Sequence, residues 1–266
     1  EFLQPFTAFA HVGDELSAWA STTPMIDGKL TPGYLMLGDW HPGEWESADK
    51  IDFVLRWGIE AHDASLYVMN DYVNLYIAFE IKAEDYDFGD AIWINFDNNH
   101  DGYKDYGDDV LYLDADSSYA ETFAGRFQDG FWFSPGDEYP EPDNHLWGGT
   151  YDGVGACKFT GTTPYQVADY VFEVAHPLNT TDDFHDFSLG VGDTVGFNVL
   201  YMDDGGGPGS EDGWPMWTKV HWSLMADIQI ADLDLPFFLH GNVNLKIDKI
   251  EITQAIQWLD GAGYED

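Results

Sequence analysis

The regularity that most limits the possible folds is a period of two. Apolar residues alternate with polar ones in many short runs: Ile51, Phe53, Leu55 and Trp57; Leu75, Ile77, Phe79 and Ile81; Ile92, Ile94 and Phe96; Val195, Phe197, Val199 and Tyr201. Alternation puts every second side chain of an extended segment on one face, the mark of a half-buried strand. No long stretch repeats at the helical period, and turns rich in Gly or Asp separate the runs at residues 87–90, 148–155 and 203–213. The pattern predicts an all-β fold, a two-sheet antiparallel β-sandwich.

Composition decides whether such a chain can fold at all. Ten Lys and Arg stand against 49 Asp and Glu, a formal net charge of −39. Charge of that size with few aromatics would mean disorder, but 44% of residues are hydrophobic and 17% aromatic, enough for a large core. Nucleic acid is excluded as a partner, because phosphate binding needs basic side chains, and an anionic membrane surface is excluded for the same reason. No apolar run reaches the roughly 18–20 residues of a spanning helix, so membrane insertion is not expected. A single Cys157 allows no internal disulfide. The chain opens on Glu1-Phe2 and not on Met, so its first residue is read as lying after the translation start.

One domain is expected over residues 24–231, with strand-forming tails at 1–23 and 232–266. The N-terminal tail is rich in Phe, with Phe2, Phe6 and Phe9, and the C-terminal tail alternates through Val243, Leu245 and Ile247. Each tail either completes its own sandwich or pairs with another subunit. In the second case these six residues are the strand-exchange candidates, and strand addition would build a homo-oligomer or a filament.

The segment 97–109 follows the spacing D-x-N-x-D-G. Oxygen ligands at loop positions one, three and five converge on one cation, and Gly at six permits the sharp turn. Asp97, Asn99, Asp101, Asp105, Asp108 and Asp109 are therefore candidate metal ligands. Position twelve is Asp108 where a helical EF-hand would carry Glu, and the flanks read as strands, so the motif is a calcium loop between two strands. Asp203, Asp204, Glu211 and Asp212 form a second, less regular acidic set, and Asp114 with Asp116 and Asp182, Asp183 and Asp186 form others. Calcium is the expected cofactor, since hard oxygen ligands suit it and a bound cation offsets self-repulsion in so acidic a chain.

No nucleophile elbow, zinc motif, phosphate loop or dinucleotide fingerprint is present, and no catalytic residue is assigned. Trp40, Trp45, Trp132, Trp147, Trp214 and Trp217 lie in turn-rich stretches where an indole could stack on a sugar ring. Asn179-Thr180-Thr181 is a glycosylation sequon.

Five segments, in order, resemble family 9 carbohydrate-binding modules and the wider DOMON-like sandwiches: Pro24 to Leu30, Asn74 to Ile81, Ala91 to Asp97 leading into the acidic loop, Tyr170 to Leu178, and Asp186 to Asp204. Trp214-Pro215 then precedes a last strand near Ile228. The resemblance spans about 200 residues and implies a jelly-roll-like sandwich, extracellular and non-catalytic, often with structural calcium and sometimes with a sugar-binding face. Some relatives bind haem, for which Met69 and His176 would be the ligands, but no C-x-x-C-H is present. Together these readings predict an extracellular, non-catalytic, calcium-stabilised structural protein, a subunit of a filament or surface assembly built by strand addition. The alternative is a carbohydrate-binding module with glycan partners, and a glycan-acting enzyme or a haem-binding domain stands behind both.

Overall fold

The structure is a computed structural model that describes residues 11, 13–30, 43–57, 60–84, 90–115, 126–137, 139–143, 149–160, 168–180, 184–202, 211–214 and 222–233. The chain divides into two units, Glu1–Asp232 and Leu233–Asp266. Phe2, Phe6, Phe9, Val243, Leu245 and Ile247, the strand-exchange candidates, lie outside the described residues.

The first unit is a sandwich of two sheets. One sheet holds β2 (Asp49–Trp57), β3 (Glu60–Asn70), β4 (Asn74–Glu84), β10 (Ala168–Pro177) and β9 (Val154–Phe159), in the order β2-β3-β4-β10-β9. The other runs β1 (Glu15–Leu16), β13 (Ala226–Gln229), β11 (Thr194–Met202), β5 (Ala91–Asp97), β6 (Asp109–Asp114), β7 (Arg126–Phe131), β8 (Glu141–Pro142). β11 divides one edge between two partners, with β13 along Thr194–Phe197 and β12 (Glu211–Trp214) along Val199–Met202. All of these pairs are antiparallel except β1 with β13. Among the described residues no helix is long and apolar enough to cross a membrane.

The alternating runs face one another across the sandwich. Leu75, Ile77, Phe79 and Ile81 of β4 and Tyr170, Phe172 and Val174 of β10 meet Ile92, Ile94 and Phe96 of β5 and Val195, Phe197, Val199 and Tyr201 of β11 in one buried cluster. Each such side chain taken from water stabilises the fold by roughly 1.5–3 kcal/mol, which is what holds two sheets together without a disulfide. Cys157 is buried in the same core, where burial pushes its thiol well up, so it packs as a small apolar residue.

The opposite phase is also covered in both sheets. Met69, Tyr76, Ala78 and Ala175 pack with Trp45 and Ala20 outside the five-stranded sheet, and Trp93, Val110 and Leu200 pack with Trp132, Trp222 and Met225 outside the other. The first of these layers is anchored by Glu173 of β10, which is fully buried. Its Oε2 accepts the backbone N–H groups of Asp27, Gly28 and Lys29 at 2.8, 2.6 and 3.2 Å, and its Oε1 accepts the Trp45 indole N–H at 2.7 Å. Gly28, at φ +75°, supplies the left-handed turn that points three successive amides at one carboxylate. In this way β10 fixes the segment that leads into β2.

Residue 11 and residues 13–23, expected within the N-terminal tail, join the sandwich. The Gly13 amide donates to the Met225 carbonyl at 3.0 Å, Leu16 enters the core through β1, and Trp19 bridges to Asn70.

Candidate functional site

The β5–β6 connection is the turn that the acidic motif predicts, and Gly102 adopts the positive φ, +83°, that position six requires. The carboxylates cap the loop's own amides. Asp97 accepts the Gly102 amide at 2.6 Å and the Asp101 amide at 3.2 Å, while Asp108 accepts those of Asp105 and Asn98 at 2.6 and 3.1 Å. Burial pushes Asp108 up to about 7 against the downward pull of its two amides. Asn99 and Asp101 accept the amides of Asp101 and Tyr103.

Asp97 has one further partner, the buried ring of His11. His11 Nε2 lies 2.9 Å from Asp97 Oδ2, and its Nδ1 lies 2.7 Å from Asp227 Oδ1. Two carboxylates that can only accept require both ring nitrogens to carry protons, so a positively charged imidazolium sits at the first position of the loop. Gly196 of β11 makes room for it, since a Cβ there would meet His11 Cε1 at 2.0 Å. Asp109, expected as a ligand of the same loop, is fully buried, with its ligand atoms near those of His176 and Asp186.

An aromatic surface borders this loop. Tyr106 is 55% exposed and Phe133 46% exposed, and their rings meet nearly at right angles with centroids 5.6 Å apart. The buried His185 lies against Tyr106 and stacks on Phe131 at 3.9 Å, which fixes the base of this corner. Beside it Lys104 holds its ammonium 3.6 Å from the Trp132 ring centroid and donates to the Asp137 carbonyl at 2.7 Å. Trp93 contacts both Trp132 and Tyr139, which is 69% exposed. Tyr103 and Phe184 are also exposed. Tyr106 and Phe133, both partly in water and in contact, offer flat apolar faces with a polar rim at the tyrosine hydroxyl.

Of the indoles expected to stack on sugars, Trp45, Trp132 and Trp214 are buried, because each fills a cluster against a sheet face or in the core. Trp40, Trp147 and Trp217 lie outside the described residues, as do Asp203 and Asp204. Glu211 and Asp212 contribute backbone to β12, opposite Met202 and Tyr201. Met69 is fully buried in the outer cluster and receives the Ser47 hydroxyl at 3.7 Å, whereas His176 lies on the core side of β10 against Phe187. Asn179 is exposed just after β10, with its amide donating to Ser188 Oγ at 2.7 Å. Sequence reasoning missed Tyr106, Phe133 and Tyr139, although a Tyr between the acids of a turn has no core strand to enter and was the available signal.

No protein-family model matches the chain, and no curated protein matches it. Solved structures share its fold. A family 9 carbohydrate-binding module from Caldicellulosiruptor kristjanssonii in complex with cellotriose superposes with a TM-score of 0.50 at 14% identity, covering 88% of this chain and 100% of that one. A family 9 module from the same organism in complex with glucose gives a TM-score of 0.50 at 14% identity, covering 84% and 100%. The fold is therefore an all-β sandwich. Within that class it is like that of family 9, as the ordered segments from Pro24 to Asp204 imply.

Proposed function

We propose that this chain is a non-catalytic glycan-binding module acting outside the cell. The exposed aromatic corner of Tyr106 and Phe133 carries the reading, because a pyranose ring presents an apolar C–H face that stacks on such rings while its hydroxyls stay hydrated. Support also comes from the fold, shared with modules that hold cellotriose and glucose. A net charge of −39 selects neutral glycans over anionic ones. The comparisons weigh toward this alternative and away from the filament subunit, whose strand-exchange residues lie outside the described ones. Tyr106→Ala and Phe133→Ala should each weaken binding to a soluble β-glucan about tenfold in calorimetry while the thermal midpoint stays nearly unchanged. An array of neutral glycans with no bound member would end this reading.

A further inference from the structure

The apolar phase of three strands is broken at one place by charge. Asp109 shares its face of β6 with Leu111 and Leu113, Asp129 lies between Phe127 and Phe131 on β7, and His176 continues the inward series Phe172 and Val174 on β10. These inward positions belong to both sheets, so the polar groups meet inside the sandwich. Asp143, after β8, and Asp186, before β11, join them, and all five residues are at most 4% exposed.

Neither oxygen of the fully buried Asp109 has a hydrogen-bond partner, nor has Asp129 Oδ1. Asp129 Oδ2 accepts the Asp152 amide at 2.8 Å, and His185 Nδ1 lies 3.2 Å from Asp143 Oδ1. His176 Nδ1 lies 2.8 Å from the Pro177 carbonyl, an acceptor, so Nδ1 is the donor. In the neutral ring Nε2 then carries a lone pair, and this atom, 3.7 Å from Asp129 Oδ2, has no hydrogen-bond partner.

We propose that a divalent cation of the oxygen-preferring class, calcium first, binds inside this end of the sandwich, held by Asp109, Asp186 and His176 Nε2, with Asp129 and Asp143 grouped around the same Asp186. Ligand atoms of Asp109, His176 and Asp186 lie within 4.8 Å of one another, and so do those of Asp129, Asp143 and Asp186. Two oxygens on opposite sides of a calcium ion at about 2.4 Å are about 4.8 Å apart, so each triad by itself has the span of one coordination sphere, and Asp186 belongs to both. The surroundings are shaped around the carboxylates. Gly149 packs so closely that a Cβ would stand 1.3 Å from Asp143 Oδ1, and Gly153, at φ +102°, would bring one to 3.2 Å from His176 Cδ2. The Nδ1 hydrogen bond fixes the ring with Nε2 inward, the usual orientation of a metal-bound imidazole. Without a cation, four carboxylates face two imidazoles. Carboxylates so deeply buried repel one another with no solvent between them, and a bound cation offsets that repulsion.

The test uses the full chain, stripped with a chelator and titrated with calcium chloride, with native mass spectrometry counting ions and calorimetry measuring affinity. One calcium per chain is expected. Asp109→Asn should weaken it at least about tenfold, while Asp101→Asn and Asp105→Asn in the adjacent loop leave it within about twofold. A second readout distinguishes a lost site from a lost fold. With the chelator Asp109→Asn should melt at or above the wild-type temperature, because it relieves repulsion among buried acids, and in calcium the order should reverse. A chain that binds no calcium, or that keeps it in Asp109→Asn and loses it in Asp105→Asn, would overturn the proposal, as would a melting order that calcium does not reverse.

Discussion

His11 shows how one residue can tie a tail to a fold. Its ring is buried against Asp97 and Asp227, with His100 Nε2 also 2.9 Å from Asp227 Oδ1, so three elements close around one charge. Burial alone would lower its pKa, but hydrogen bonds to Asp227 and Asp97 outweigh that and raise it from 6.5 to about 9. A base held above its unfolded value contributes stability that is complete below about pH 6.5 and is lost as pH rises through about 9. The loss should amount to roughly 3 kcal/mol, and His11→Gln should flatten it. Urea midpoints of wild type and variant across that interval measure the difference, and parallel curves would refute it. Sequence alone could not supply this contact. His11 and Asp227 stand 216 positions apart, and neither lies in a motif.

At the scale of elements, the period-two reading worked wherever a strand buries one face. β4, β5 and β11 place the alternating residues in the core as expected, and Ile51, Phe53 and Leu55 of β2 pack there too. It had less to say about β1 and β8, because two residues form no period. Strands buried on both sides also gain a second apolar phase, as with Trp93 in β5, and the pattern then blurs. The interior acids were present in the sequence as a breach of phase, an Asp between Phe127 and Phe131 and another two residues before Leu111. The acidic loop drew attention because its spacing is a known motif, whereas Asp109, Asp129, Asp143, His176 and Asp186 converge only once two sheets are stacked. The loop itself makes a claim of its own scale. Gly102 has φ +83° and donates its amide to Asp97 at 2.6 Å, so Gly102→Ala forces a side chain into a left-handed turn. A cost of about 1–3 kcal/mol is expected in chemical denaturation, and an unchanged midpoint would show that the turn relaxes freely.

For the whole molecule, the charge of −39 separates into two populations with different physics. Among the described residues most acids are not buried, and their mutual repulsion is long-ranged, weak for any pair and screened within about 8–10 Å by ordinary salt. Asp109, Asp129, Asp143 and Asp186 lie inside the sandwich, where mobile ions do not reach and only a bound cation or a proton can neutralise them. The two parts should respond to different additions. Raising sodium chloride from about 10 mM to about 1 M should lift the melting temperature of chelator-treated protein by relieving the surface alone. Millimolar calcium added at that high salt should lift it again, because site binding stabilises by mass action whatever the screening, by about 2.7 kcal/mol once the free ion exceeds its dissociation constant a hundredfold. Calorimetric melting in the four combinations of salt and calcium measures both parts. A calcium effect that vanishes at high salt would mean that the ion only screens the surface and that the interior acids are neutralised by protons.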